Sequence, residues 1–119
     1  MSFLFIGLGG FFGAICRYIL GLSFNQSHSL KPFGTWIANI SGSILLGILF
    51  VSHEKEIIHR ITWLLFGVGF CGAYTTFSTF GTETLSMLLN RDYKKAIFYV
   101  FSSFTLSVGS VLIIILLVK

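Results

Sequence analysis

The chain has 119 residues, 55% of them hydrophobic and 10% charged, with eight Lys/Arg against four Asp/Glu and a net charge of +4. Soluble domains carry about 25% charged residues, so this chain cannot clothe a water-soluble fold of its size, which excludes a soluble enzyme and a disordered tail. Its excess positive charges sit at segment ends and form no patch able to neutralise a run of phosphates, which excludes nucleic acid as a partner.

A bilayer core needs about 20 mostly apolar residues per helix, and the sequence offers four such stretches. The first runs from Met1 to Cys16 and continues past Arg17 through YILGLSF, predicting a helix over about 3–22. Arg17 near its end is expected to extend its stem toward the headgroups. A cleaved signal peptide is the rival reading here, but a basic n-region and a small-x-small cleavage site are missing. GLGGFFG (Gly7 to Gly13) lacks the G-x-G-x-x-G spacing of a dinucleotide loop. Its Gly9 and Gly13, four apart like Ser43 and Gly47 further on, allow close helix approach instead.

The second helix is predicted over 33–51, with Pro32 at its start, where a missing N–H is harmless. Asn39 is the one amide well inside a span, followed by Ser41, Gly42 and Ser43. Its two donors can serve an anion or a carbonyl on a neighbouring helix.

The third stretch, 61–90, is too long. Thirty residues of straight helix measure ~45 Å against a hydrocarbon core of ~30 Å. Its one interruption, GFCGAYTTFSTFGTE (Gly69 to Glu83), combines Gly69 and Gly72 with Thr75, Thr76, Ser78 and Thr79. Glycines favour a break, and hydroxyls can satisfy the backbone groups it frees. A discontinuous helix, broken mid-membrane near 72–76, is predicted. A kinked but closed helix, its hydroxyls bonded back to their own carbonyls, is the alternative. Freed carbonyls at such a break would form a cation site. Phe77 and Phe80 are three apart and share a helix face.

The fourth helix, about 95–118, carries Tyr99, Ser103 and Ser107 at i, i+4 and i+8, a polar stripe on an apolar rod. Those hydroxyls either bond back into their own helix, pack as small groups, or face a path. Trp36, Trp63, Tyr18 and Tyr93 fall near the expected ends of spans, as interfacial aromatics do.

The connectors divide the Lys/Arg weakly. One side of the membrane holds Lys55, Arg60, Lys119 and the α-amine; the other holds Arg17, Lys31, Arg91, Lys94 and Lys95. That bias leaves open one preferred topology or insertion both ways round. Cys16 and Cys71, 55 positions apart in apolar sequence, read as buried hydrophobes. His28, His53 and His59 have no ligand spacing that suits zinc. Glu83 is the carboxylate bordering a span, with no His, Cys or second acid placed to act with it, so no catalytic constellation emerges.

Three motifs in register, GGFFGAICRY (Gly9 to Tyr18), GTWIANISGSILLG (Gly34 to Gly47) and GFCGAYTTFSTFGTE, resemble the Fluc (CrcB) family of small fluoride channels over nearly the whole chain. The resemblance implies an all-α, four-helix subunit that pairs as an antiparallel, dual-topology homodimer in the cell membrane. It implies a structural sodium ion held at the dimer interface by the backbone carbonyls of Gly72 and Thr75. It implies a fluoride pathway along Asn39, Phe77, Phe80, Tyr99, Ser103 and Ser107, with Thr76, Ser78 and Thr79 beside it. Arg17 and Glu83 correspond to its basic and acidic positions. The chain departs from the expected pattern at Ala73-Tyr74, where Gly or Ser followed by an apolar residue is expected.

The resemblance implies a passive channel that lowers cytoplasmic fluoride, and the residues are consistent with it: neutral donors replace the water of the ion without trapping it. A proton-coupled small multidrug-type transporter is the runner-up, but it needs a carboxylate deep in the first helix, which has none. A non-transporting membrane assembly subunit would leave the hydroxyl stripe and the broken helix unexplained together.

Overall fold

A computed structural model describes residues 2–26 and 31–118. His28, Lys119 and the Met1 amine, which entered the sequence reading, lie outside them. Among the described residues the regular structure is helical apart from one pair of two-residue strands. Helix α1 (Ser2–Phe24) leads through β1 (Asn25–Gln26) and β2 (Lys31–Pro32), which pair antiparallel, into α2 (Phe33–Glu54). The third span is composite: α3 (Arg60–Thr62), a π-helical segment (Trp63–Cys71), α4 (Gly72–Tyr74) and α5 (Ser78–Leu89). Helix α6 (Tyr93–Val118) completes the bundle. The four helices beginning at Ser2, Phe33, Arg60 and Tyr93 are long and apolar enough to cross a membrane, so the chain is a multi-pass membrane protein.

Its burial pattern is that of a protein solvated by lipid. Large hydrophobics point outward from every span, including Phe3, Phe12, Ile19, Phe98, Phe101 and Leu117. Small and polar residues point inward: Gly34, Thr35, Ala38, Gly42 and Gly47 of α2, and Ala96, Tyr99 and Ser103 of α6. Lipid tails offer no hydrophobic drive between helices, so close backbone approach and interhelical hydrogen bonds hold the spans together. With extents of 48 × 31 × 19 Å the molecule is a slab about two helix diameters thick.

The tightest seam lies between α1 and the π-helical segment. A Cβ added to Gly9 would stand 1.8 Å from the Leu65 carbonyl oxygen, and one on Gly13 would stand 2.3 Å from that of Phe70. From the other side, a Cβ on Gly69 would stand 2.5 Å from the Ile6 carbonyl oxygen. Backbone therefore lies directly on backbone, with no side chain between. The wider coil of a π-helix (i→i+5 bonding) departs from the regular helix expected over this stretch. Such departures accompany functional sites more often than ordinary helices do.

The second and third connectors close on residues in the left-handed region, Glu56 (φ 58°) and Arg91 (φ 59°). At each, the following amide reaches back five residues, Ile57 N–H to Ser52 O (2.9 Å) and Asp92 N–H to Met87 O (2.9 Å), satisfying carbonyls that end a helix.

Two sequence expectations change direction. Arg17 does not reach outward: its Nε donates to the Ala73 carbonyl at 3.1 Å, because the interruption after Tyr74 leaves that carbonyl without its ladder amide. The Trp36 indole also points inward, donating from Nε1 to Ser102 Oγ at 2.9 Å beside the buried cluster of Met87, Ala96 and Tyr99. Trp63 stacks on His53, with centroids 5.2 Å apart and rings 9° from parallel, while Tyr18 and Tyr93 stay exposed.

The seam makes a stability prediction. Gly9→Ala drives a methyl into the Leu65 carbonyl and is expected to cost about 3 kcal/mol. Gly7→Ala, which meets nothing within 4 Å, is expected to be neutral or slightly stabilising. Thermal unfolding of the two solubilised variants checks the pair.

Candidate functional site: the interrupted third span and its cavity

Helical backbone ends at Tyr74 and resumes at Ser78. Thr75 is extended (φ −85°, ψ 155°), and Phe77 returns to helical angles (φ −99°, ψ −37°). The sequence expectation put the break near 72–76; the helix runs through Gly72–Tyr74, and the residues outside helix are 75–77, overlapping that expectation at Thr75 and Thr76.

Asn39 of α2 occupies the opening. Its Oδ1 accepts from the Thr76 N–H at 2.7 Å, and its Nδ2 donates to the Thr76 carbonyl at 2.9 Å. One side-chain amide thus takes the place of two ladder partners. In an unbroken helix the Thr76 N–H would bond to the Gly72 carbonyl; here it goes to Asn39, and the Gly72 carbonyl is released from that donor. The peptide between Thr75 and Thr76 is trans, so its C=O points opposite to its N–H. With the N–H aimed at Asn39, the Thr75 carbonyl is turned away from α2.

The two released carbonyls belong to the residues that the family resemblance singles out for sodium, Gly72 and Thr75. Their chemistry fits: neutral carbonyl oxygens suit a hard monovalent cation. A Cβ on Gly72 would meet nothing within 4 Å, so the approach to its backbone is open.

Thr76 also organises the resumed helix, its Oγ1 accepting from the Thr79 N–H at 3.3 Å in the manner of an N-cap. Thr75 is held from the other direction, its Oγ1 donating to the Cys71 carbonyl at 2.8 Å.

Beside the break lies a cavity of about 320 Å³ between α2, the resumed third span and α6. Its lining combines the polar residues Asn39, Ser43, Thr75, Thr76, Ser103 and Ser107 with the apolar Leu46, Phe77, Phe80, Phe104 and Val108. No carboxylate and no basic side chain lines it.

Most hydroxyls of the spans are already engaged. Ser41, Ser43, Thr82 and Thr84 donate to carbonyls four residues back, at 2.6, 2.7, 3.0 and 2.8 Å, and Ser110 bonds to Leu106 in the same way. Ser103 is different. It is 5% exposed, and among the described residues its Oγ is the buried side-chain polar atom left without a hydrogen-bond partner. Ser103 is one of the residues that line the cavity.

Of the residues expected along a path, Asn39, Thr76, Phe77, Phe80, Ser103 and Ser107 meet at this cavity. Tyr99, Ser78 and Thr79 are not part of its wall. Tyr99 lies behind Phe80, centroids 5.0 Å apart, and its hydroxyl donates to Glu83 Oε1 at 3.0 Å. The Thr35 side chain also hydrogen-bonds Glu83. Glu83 thus has two hydroxyl partners that the sequence reading did not assign to it. Phe77 and Phe80 sit 6.3 Å apart at 40°; Phe77 is 83% exposed, and Phe80 is half-buried against Tyr99. Ser43, Thr75 and Phe104 are wall residues that sequence reasoning did not assign to a path. Ser43 lies four residues from Asn39 and Phe104 next to Ser103, a signal visible once the facing side of each helix is known.

The family model for CrcB-like protein, Camphor Resistance (CrcB), matches residues 4–115. The chain belongs to the CrcB family. Among its relatives, a protein of Oceanobacillus iheyensis named "Fluoride-specific ion channel FluC" is 44% identical, the match covering 89% of this chain and 82% of that one. Proteins of the same name from Thermosipho melanesiensis and Nitratiruptor sp. are 41% and 38% identical, covering 83% and 96% of this chain and 82% and 89% of theirs. For this CrcB chain, those relatives favour a channel over the multidrug-type alternative.

Removing the Asn39 amide tests the geometry itself. Asn39→Ala deletes both bonds to Thr76 and is expected to cost about 2 kcal/mol locally. Hydrogen exchange at the Thr76 amide should then accelerate roughly 30-fold, with the exchange of α6 unchanged.

Proposed function

We propose that this protein is a fluoride-selective channel of the cell membrane that releases fluoride passively and so lowers its cytoplasmic concentration. The observation that carries the reading is the unpartnered Ser103 hydroxyl, buried at the wall of a cavity that also holds Asn39 and has no charged group. The fluoride-channel names of the relatives support it.

A bare anion in hydrocarbon costs tens of kcal/mol. The cavity answers with donors: the Ser103 hydroxyl, and the second Nδ2 hydrogen of Asn39 beyond the one given to Thr76. Ser107 extends the hydroxyl line one turn along α6. Phe77 and Phe80 add ring edges, which carry partial positive charge and suit a small anion. Since every donor is neutral, the ion is stabilised without being trapped. A membrane potential of 100 mV contributes about 2.3 kcal/mol per charge, so outward flow of an anion from a negative interior needs no pump.

The cavity is open on one side, and Phe77 is exposed there. A second copy would close it, and near-balanced loop charges suit two copies inserted in opposite directions. The break would then lie near mid-membrane, at the interface. Sodium, held by the carbonyls of Gly72 and Thr75, would supply fixed positive charge beside the path. Helices over about 3–22, 33–51, 61–90 and 95–118 act as one integral-membrane domain in this arrangement. Arg17 and Glu83 serve structurally, through the Ala73 carbonyl and the Tyr99 hydroxyl.

Purified protein in liposomes loaded with fluoride or chloride is expected to release fluoride and retain chloride, read with ion-selective electrodes. Equal release of the two, or none of either, overturns the reading. Ser103→Ala separates path from scaffold. It removes a hydroxyl that bonds nothing, so thermal stability should hold or rise. Fluoride release should fall about tenfold, as one lost hydrogen bond to the ion implies. Phe77→Ile and Phe80→Ile should also cut release while leaving the assembled protein intact.

A further inference from the structure

The sequence departs from the family pattern at Tyr74, and the structure gives that residue a partner. The Tyr74 hydroxyl lies 3.0 Å from Ser41 Oγ of α2. Ser41 commits its own proton to the Ile37 carbonyl at 2.6 Å, so Tyr74 is the donor of this bond. The tyrosine ring is fixed from below by Phe70, one turn earlier, with centroids 5.3 Å apart and planes 23° from parallel. Gly42, next to Ser41, lets α2 come this close. A Cβ there would stand 2.4 Å from Thr75 Cγ2 and 3.0 Å from the Tyr74 ring.

Helix α2 therefore grips the break at two points, one on each side of Thr75. Asn39 holds the two peptides that follow Thr75, the first through the Thr76 N–H and the second through the Thr76 C=O. Ser41 holds the residue that precedes it. The direction of the Thr75 carbonyl depends on both anchors, because a peptide plane fixed at one end alone can still turn about the bonds at the other. Tyr74 is also the last helical residue before the extended one, the position where such a turn would begin.

We propose that Tyr74 and Ser41 are a positioning pair: their hydrogen bond sets the direction of the Thr75 carbonyl and thereby the affinity of the interrupted span for a monovalent cation. The pair does not touch the cation. It acts through Thr75, and it rests on the reading that the Gly72 and Thr75 carbonyls hold sodium.

The test is thermal unfolding of the full chain in detergent across a sodium chloride titration, with choline chloride holding ionic strength constant. A ligand that binds the folded state raises the unfolding midpoint with its concentration, so the sodium concentration giving half the rise reads affinity without any flux measurement. Tyr74→Phe keeps the ring and removes the hydroxyl. It is expected to raise that concentration about fivefold, the effect of one hydrogen bond of ordinary strength. Its midpoint in choline should stay within about 2 °C of the parent. Ser41→Ala should give the same shift, the Tyr74→Phe/Ser41→Ala double variant no more than either alone, and Ser41→Thr, which keeps a hydroxyl, the parent value.

A lower midpoint in choline with an unchanged sodium response would mean a merely structural bond and overturns the proposal. So does an additive double variant. A parent protein that does not respond to sodium overturns the cation reading and this inference with it. Failure of the fluoride reading in liposomes leaves the titration untouched, so the two are judged separately.

Discussion

The structure turns on one side-chain amide. Asn39 binds the N–H and the C=O of Thr76 at 2.7 and 2.9 Å, and without it the third span would hold two unpaired backbone groups in oil. By taking the Thr76 N–H, Asn39 releases the Gly72 carbonyl. Because the peptide is trans and planar, the same bond sends the Thr75 carbonyl away from α2. One contact therefore opens the helix, stabilises the opening and orients what the opening exposes. Glycine at 42 is what admits the break so close to α2.

Around that contact, polar groups fall into two classes. Arg17, Ser41, Ser43, Thr75 and Tyr99 are engaged with protein partners and hold the frame together. Ser103 is not engaged, and it lines a space shared with Asn39 and three phenylalanines. A frame with every hydroxyl satisfied internally would give a stable bundle and nothing for an ion to bind. An unsatisfied buried hydroxyl costs about 1–3 kcal/mol; under the proposed function, an anion on the path would offset that cost.

Much of this was legible in the residues. Run lengths marked four spans, and the excess length of the third, with its Gly and Thr cluster, marked an interruption. Asn39, Phe77, Phe80, Ser103 and Ser107 were singled out because polar or paired aromatic groups at those depths need an explanation. Other features were hidden for definite reasons. The π-helical segment has no signature in hydropathy, since Trp63–Cys71 is apolar all round and its coil is set by contact with Gly9 and Gly13 of α1. The inward turn of Arg17 depends on a carbonyl that loses its amide only once the break forms. A polar stripe gives a helix face but not its rotation in the bundle. The stripe therefore does not show that Tyr99 packs behind Phe80 or that Ser43 lines the cavity.

The seam between α1 and the π-helical segment also bears on how the chain is made. The span on which α1 packs most closely is not the next one but the one after it. About 50 residues separate Phe24 from Cys71, so at roughly 5–20 residues per second a ribosome needs several seconds to deliver that partner. Through that interval the bare groove of Gly9 and Gly13 rests against acyl chains or against whatever helix passes by. Biogenesis thus contains a waiting step, and crowding of the nascent membrane is where this small protein is most exposed to mispairing.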